Sequence, residues 1–250
     1  MINASRKFVC VRIESYENEE NQEIVRSHLN GRFANTAFCI LAPDGKERLT
    51  RSGRGPGQVI GDEQAFAKAL NDIAARYEPR GNLREAAMPD FPSFKLALNV
   101  SAADQRLLVL LTGTEKQLAN AEKQLRPLAW DPKVQGRFHY DLEPSGAWKQ
   151  PLSKNDETDS GIYVIKPDPY GLKGDVFGKL PLDAPLKDIR QLLGRANRDY
   201  AATTEKKVYS DHVAEGRRKG IRIEMGMPFG EDRDGDGEID SRNRNRRQRR

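Results

Sequence analysis

Leu107-Leu-Val-Leu-Leu111 is a block of five aliphatic residues, closed by Thr112-Gly113 and followed at once by Thr114 and, three residues on, Gln117. An apolar run this short is a strand buried on both faces, since a membrane-spanning helix needs about 20 such residues. Thr114 with Gln117 is a capping box: the Thr hydroxyl takes the Gln117 amide, and the Gln side chain returns to the Thr114 amide. The helix it opens carries Leu118, Ala121, Leu125 and Leu128 on one side. A buried strand running straight into an amphipathic helix begins an α/β unit, and the rest of the chain must complete its layers. Coiled-coil, collagen-like and membrane-bundle architectures are thereby excluded.

Two sets of elements can be read along the 250 residues. In the first, Phe8–Ile13 and Thr36–Leu41 read as buried strands and Gln22–Leu29 as a short helix ended by Asn30-Gly31. Pro43-Asp-Gly45 turns the chain into a returning strand, Lys46–Thr50, and Ser52–Gly57 is a loop. Asp62 caps a helix bearing Phe66, Leu70, Ile73 and Tyr77, which are expected to pack on a sheet made of the two strands. In the second, Phe94–Val100 and Arg106–Leu111 read as strands ahead of the capped helix. Arg137–Leu142, Ile162–Ile165 and Asp175–Gly178 are further strands. Pro185 opens a helix with Leu186, Ile189, Leu192 and Leu193 that is expected to stop at Gly194. The expected boundaries are a first unit over 1–79, a linker over 80–92, a second unit over 93–199 and an extension over 200–225. The extension holds a helix at 208–215 and a strand at 221–224, and a disordered tail is expected over 226–250.

Both units close with strand, Asp/Gly turn, strand, polar loop and helix: Thr36–Leu41 to the Asp62 helix, and Gly161–Ile165 to the Pro185 helix. This resembles the C-terminal half of a thioredoxin-like domain, best over 8–77, while 94–197 is a weaker match with a fuller set of elements. The resemblance implies two tandem thioredoxin-like α/β units, mixed sheets flanked by helices, the first without its front half. That front half would lie before Met1. Active members carry C-x-x-C after the central strand, at a helix N-terminus whose partial positive charge favours the thiolate. The corresponding place here, Leu111-Thr-Gly-Thr114, has no cysteine. The family's cis-proline positions read Asn35-Thr36 and Ser160-Gly161.

The two cysteines, Cys10 and Cys39, form neither a C-x-x-C nor a metal spacing, and read as small hydrophobes in buried strands. The three histidines, His28, His139 and His212, sit in no catalytic motif. Gly53–Gly57 lacks the G-K-[ST] of a phosphate loop and reads as a hairpin exit.

Asp232-Arg-Asp-Gly-Asp-Gly-Glu-Ile-Asp240 has the spacing of EF-hand and dockerin calcium loops. Asp232, Asp234 and Asp236 fall at positions 1, 3 and 5, Gly237 at 6, Glu238 at 7 with its backbone carbonyl, and Asp240 at 9. Position 12 is Asn243, which cannot supply the bidentate carboxylate, so the expected affinity for Ca²⁺ is weak.

The net charge of +5 belongs to the end of the chain: residues 241–250 hold six Arg, and without them 36 basic residues face 37 acidic ones. An evenly basic nucleic-acid-binding domain is excluded, and polyanion contact, if made, falls to the Arg run. Neighbouring Glu231–Asp240 masks it, so residues 231–250 together net only +1. No signal peptide and no membrane span can be read in this sequence.

The first functional expectation is therefore a non-catalytic thioredoxin-like binding or scaffold protein with a protein partner. The alternatives are a thiol–disulfide oxidoreductase whose active-site half lies upstream of Met1, which would make it extracytoplasmic, and a weak calcium-binding accessory protein.

Overall fold

The computed structural model describes residues 2–78, 86–144, 146–152, 160–232 and 236–240. The chain divides into two compact units, Met1–Arg80 with Glu224–Arg250, and Gly81–Ile223.

The first unit contains α1 (Ile2–Ser5), α2 (Glu19–His28), α3 (Pro56–Val59) and α4 (Glu63–Ala74). Asn18 caps α2 by accepting from the Asn21 amide, so this helix starts three residues before the expected Gln22. Asp62 caps α4 by accepting from the Gln64 and Ala65 amides. Leu70 and Ile73 are buried with Ala4 and Ile40, and Phe8, Phe38, Leu49, Ile60 and Phe66 pack around them.

The expected sheet under α4 is absent among the described residues. Phe8–Ile13 is not a strand, and Val9 and Val11 are 77% and 75% exposed. Thr36–Leu41 makes only isolated bridges, Phe38 to Gly53 and Leu41 to Arg48. Between those bridges the Ile40 amide donates to the Thr50 hydroxyl, 2.9 Å away, rather than to a ladder carbonyl. β-branched residues favour strands only when a neighbouring strand is there to pair with. The partial thioredoxin-like unit expected here thus lacks its sheet. The start of the expected tail is ordered as well: the Met227 amide donates to the Tyr16 carbonyl and the Asp232 amide to the Phe33 carbonyl.

The second unit starts with α5 (Phe94–Ala103), where Phe94–Val100 reads as a strand. Its apolar residues at 94, 96, 98 and 100 mimic a two-residue period. However, Ser93 caps the segment by accepting from the Leu96 amide, and Ala97 and Ala102 join the buried side. β1 (Leu107–Thr112), α6 (Glu115–Ala129), β2 (Phe138–Glu143), β3 (Gly161–Pro167), β4 (Gly174–Leu180), α7 (Leu186–Thr203) and α8 (Tyr209–Arg218) follow. α7 runs past Gly194 because Ala196 continues its buried stripe of Ile189, Leu192 and Leu193. Ile221–Glu224 is not a strand.

The sheet order is β2-β1-β3-β4. β1 is parallel to β2 and antiparallel to β3, and β4 is antiparallel to β3. Leu107, Val109, Leu111, Ile162 and Val164 face α6 and α7, meeting Leu118, Leu125, Ile189 and Leu193. Leu108, Leu110, Tyr163 and Ile165 face the other way, against Phe94 and Leu98 of α5 and Trp148 of a 3-10 turn (Ala147–Lys149). This is a mixed sheet with helices on both faces. Each large side chain fully buried in it contributes about 1.5–3 kcal/mol. Among the described residues no helix is long and apolar enough to cross a membrane.

Candidate functional site

The end of β1 and the start of α6 are where the resemblance places reactive chemistry, and the structure closes that place with local hydrogen bonds. The Thr114 amide donates to Gln117 Oε1 at 3.0 Å, and the Gln117 amide donates to Thr114 Oγ1 at 3.4 Å. The two side chains also meet, Oγ1 to Oε1, at 2.9 Å. Two helix N-terminal amides that could otherwise stabilise an anion are therefore occupied within the chain. The turn before them is tight. Gly113 has φ +156°, and a Cβ there would come within 2.9 Å of Leu182 Cδ1.

Cys10 and Cys39 are both free thiols of the first unit. Cys10 is exposed and Cys39 half-buried, so neither is the buried strand residue expected from sequence. Neither stands where a β-strand runs into a helix.

The acidic segment does structural work in the first unit. Asp232 is fully buried, and its Oδ2 accepts from Arg26 Nη1 at 2.9 Å and from the Gly237 amide at 3.2 Å. The Arg26 guanidinium also lies over the Phe33 ring, 5.5 Å from its centre. Next to it, Glu231 pairs with Arg54 at 3.0 Å, and the Tyr16 hydroxyl donates to the Gly230 carbonyl at 2.7 Å. Asp236 accepts from the Glu238 amide at 2.8 Å, and the Asp240 amide donates to the Glu231 carbonyl. Asp234 and the Arg run 241–250 lie outside the described residues. Among the described residues no three metal-type side chains converge. Gly237, with φ +91°, makes the sharp turn a calcium loop needs. The carboxylate at position 1 holds a guanidinium in this structure.

The histidines take separate roles. His139 Nε2 lies 3.0 Å from Asp104 Oδ2. His212 stacks on Tyr170 at 4.4 Å, and burial holds its pKa below the ordinary value. His28 borders a polar depression of about 630 Å³ that includes Arg48 and Arg51. Both arginines are turned to backbone, Arg48 to the His28 carbonyl and Arg51 to that of Gln58.

One group was not singled out from sequence. Asp141 on β2 is fully buried, and its carboxyl is approached by the Phe91 amide and the Asp90 carboxyl without a hydrogen bond of regular geometry. Burial, then the charges of Asp90 and Glu143, push its pKa up to about 8. Asp90 belongs to the segment crossing the outer edge of β2: its Oδ1 accepts from the Phe91 amide at 3.0 Å and from the Leu142 amide at 2.9 Å. An Asp within an apolar stretch of a strand was the available signal.

No family model, no curated protein and no solved structure matches the chain.

Proposed function

We propose that the chain is a non-catalytic binding or scaffold protein whose second unit is thioredoxin-like. The support for the fold is a four-stranded mixed sheet of order β2-β1-β3-β4 in which β3 alone runs against the others. The observation that carries the absence of catalysis is the closed N-terminus of α6. Its N-cap and third position are Thr114 and Gln117, bonded to each other. A C-x-x-C at a helix start would need cysteines at those two places.

The test is dithiol-driven reduction of a protein disulfide by the chain and by Thr114→Cys/Gln117→Cys. The natural chain is expected to give no turnover. The double variant is expected to form an internal disulfide and gain turnover, because its two side chains meet at a helix N-terminus. Turnover by the natural chain, lost on Cys10→Ser or Cys39→Ser, would favour the oxidoreductase alternative. A calcium role for the tail is the lesser reading, since the ion would have to displace or share the Arg26 contact to Asp232.

A further inference from the structure

We propose that residues 89–92 form a latch over the β2 edge that a proton on Asp141 keeps closed and that loss of this proton opens. The geometry starts from the topology: β2 is an edge strand, paired only with β1. An edge strand presents amides with no ladder partner. At Leu142 that amide is met by Asp90 Oδ1, which also takes the Phe91 amide and so shapes its own turn. Phe91 completes the cover by packing edge-on against His139, with ring centres 5.6 Å apart. Immediately before the latch, the strap is fixed to α6: the Met88 amide donates to Glu122 Oε1, and Trp130 Nε1 donates to the Ala86 carbonyl.

Asp141 lies beside this contact, adjacent in sequence to Leu142 and level with Leu110 on β1. The elements covering its face carry Lys95, exposed on α5, and Lys149, whose ammonium lies over the Trp148 ring. β1 brings Leu110 and Thr112, α5 brings Phe94 and Leu98, and the 3-10 turn brings Trp148. His139, two residues back on β2, is paired with Asp104 of the turn after α5. After burial itself, the charges that bear on Asp141 are Asp90 and Glu143, both negative, and the Phe91 amide works against them by favouring the ionised form. Protonated, Asp141 is neutral and leaves the Asp90 carboxylate undisturbed. Ionised, it places a buried negative charge beside the exposed Asp90 carboxylate, and the low-cost relief is for Asp90 to turn away into water, freeing the Leu142 amide.

The experiment is amide hydrogen exchange on the full chain, read as protection factors so that intrinsic pH effects cancel, with a backbone-independent ¹³C titration of the Asp141 carboxyl. Protection at Leu142 is expected to fall at least ~10-fold between about pH 6 and about pH 10, in step with that titration, while Leu110 keeps its protection. Asp141→Asn removes the step. Asp90→Asn keeps the accepting Oδ1 but drops the charge, so the titration and the step move to lower pH. The latch does not exist if Leu142 protection stays flat while the Asp141 carboxyl titrates. It is equally overturned if the step survives in Asp141→Asn, or if the carboxyl titrates in the ordinary range near pH 4.

Discussion

Asp141 makes stability of the second unit fall with rising pH, while Glu122 and Asp131, held below the ordinary carboxylate range, act in the opposite sense at lower pH. The Asp141 pKa is about 8 when folded, against about 3.9 for an unperturbed Asp. Between those values the folded state holds a proton that the unfolded state has released, so stability declines as pH rises through this window and levels off above it. The shift corresponds to about 5–6 kcal/mol as an upper bound. Urea unfolding at a series of pH values should show this decline for the natural chain and lose it in Asp141→Asn, which should be the more stable of the two at neutral pH. Only part of this was legible. The order Phe138-His-Tyr-Asp-Leu142 shows that Asp141 shares a face with His139 rather than with Phe138 and Tyr140. That the same face is covered depends on α5, and α5 is hidden by its strand-like spacing. Asp232 was legible by type and not by role. Its calcium-loop spacing is plain in sequence, but the contact to Arg26 joins residues 206 positions apart.

Where a cap and a periodic face agree, an element could be read directly. The capping box at Thr114 and the Asp62 cap of α4 both stand where the sequence puts them. Thr114→Ala should cost about 1 kcal/mol in thermal or urea unfolding of the second unit. Where period alone was used, the reading failed in both directions. Phe94–Val100 alternates and is a helix, and Phe8–Ile13 is rich in β-branched residues and joins no strand among the described residues. The difference is tertiary: Ser93 and the alanines decide the first, and the absence of a paired neighbour decides the second. Leu98→Ala tests the helical assignment through its burial between α5 and the sheet. A loss of about 2–5 kcal/mol is expected for a fully buried leucine, and a loss under 1 kcal/mol would place the residue outside the core.

At the scale of the molecule, the first unit is held by a contact between its two ends of sequence. Removing one partner of a buried ion pair costs about 3–5 kcal/mol. Arg26→Ala should therefore lower the unfolding temperature of the first unit in calorimetry and leave the transition of the second in place. Millimolar calcium should leave the natural chain's first transition unmoved, because Arg26 already holds the Asp232 oxygen. The compact units divide after Arg80, and sequence order could not show that Glu224 onward returns to the first of them.

That return imposes a schedule on synthesis. The second unit is one uninterrupted stretch and can fold as soon as Ile223 has left the ribosome. The first unit is translated earlier yet finishes later, because Arg26 waits for Asp232, 206 residues downstream. Until then Tyr16 and Phe33 lack the backbone partners that Met227 and Asp232 bring, a state in which nascent chains meet chaperones. A stop codon placed just after Ile223 should thus yield a protein with a folded second half and a protease-sensitive beginning, although no residue of that beginning has been altered.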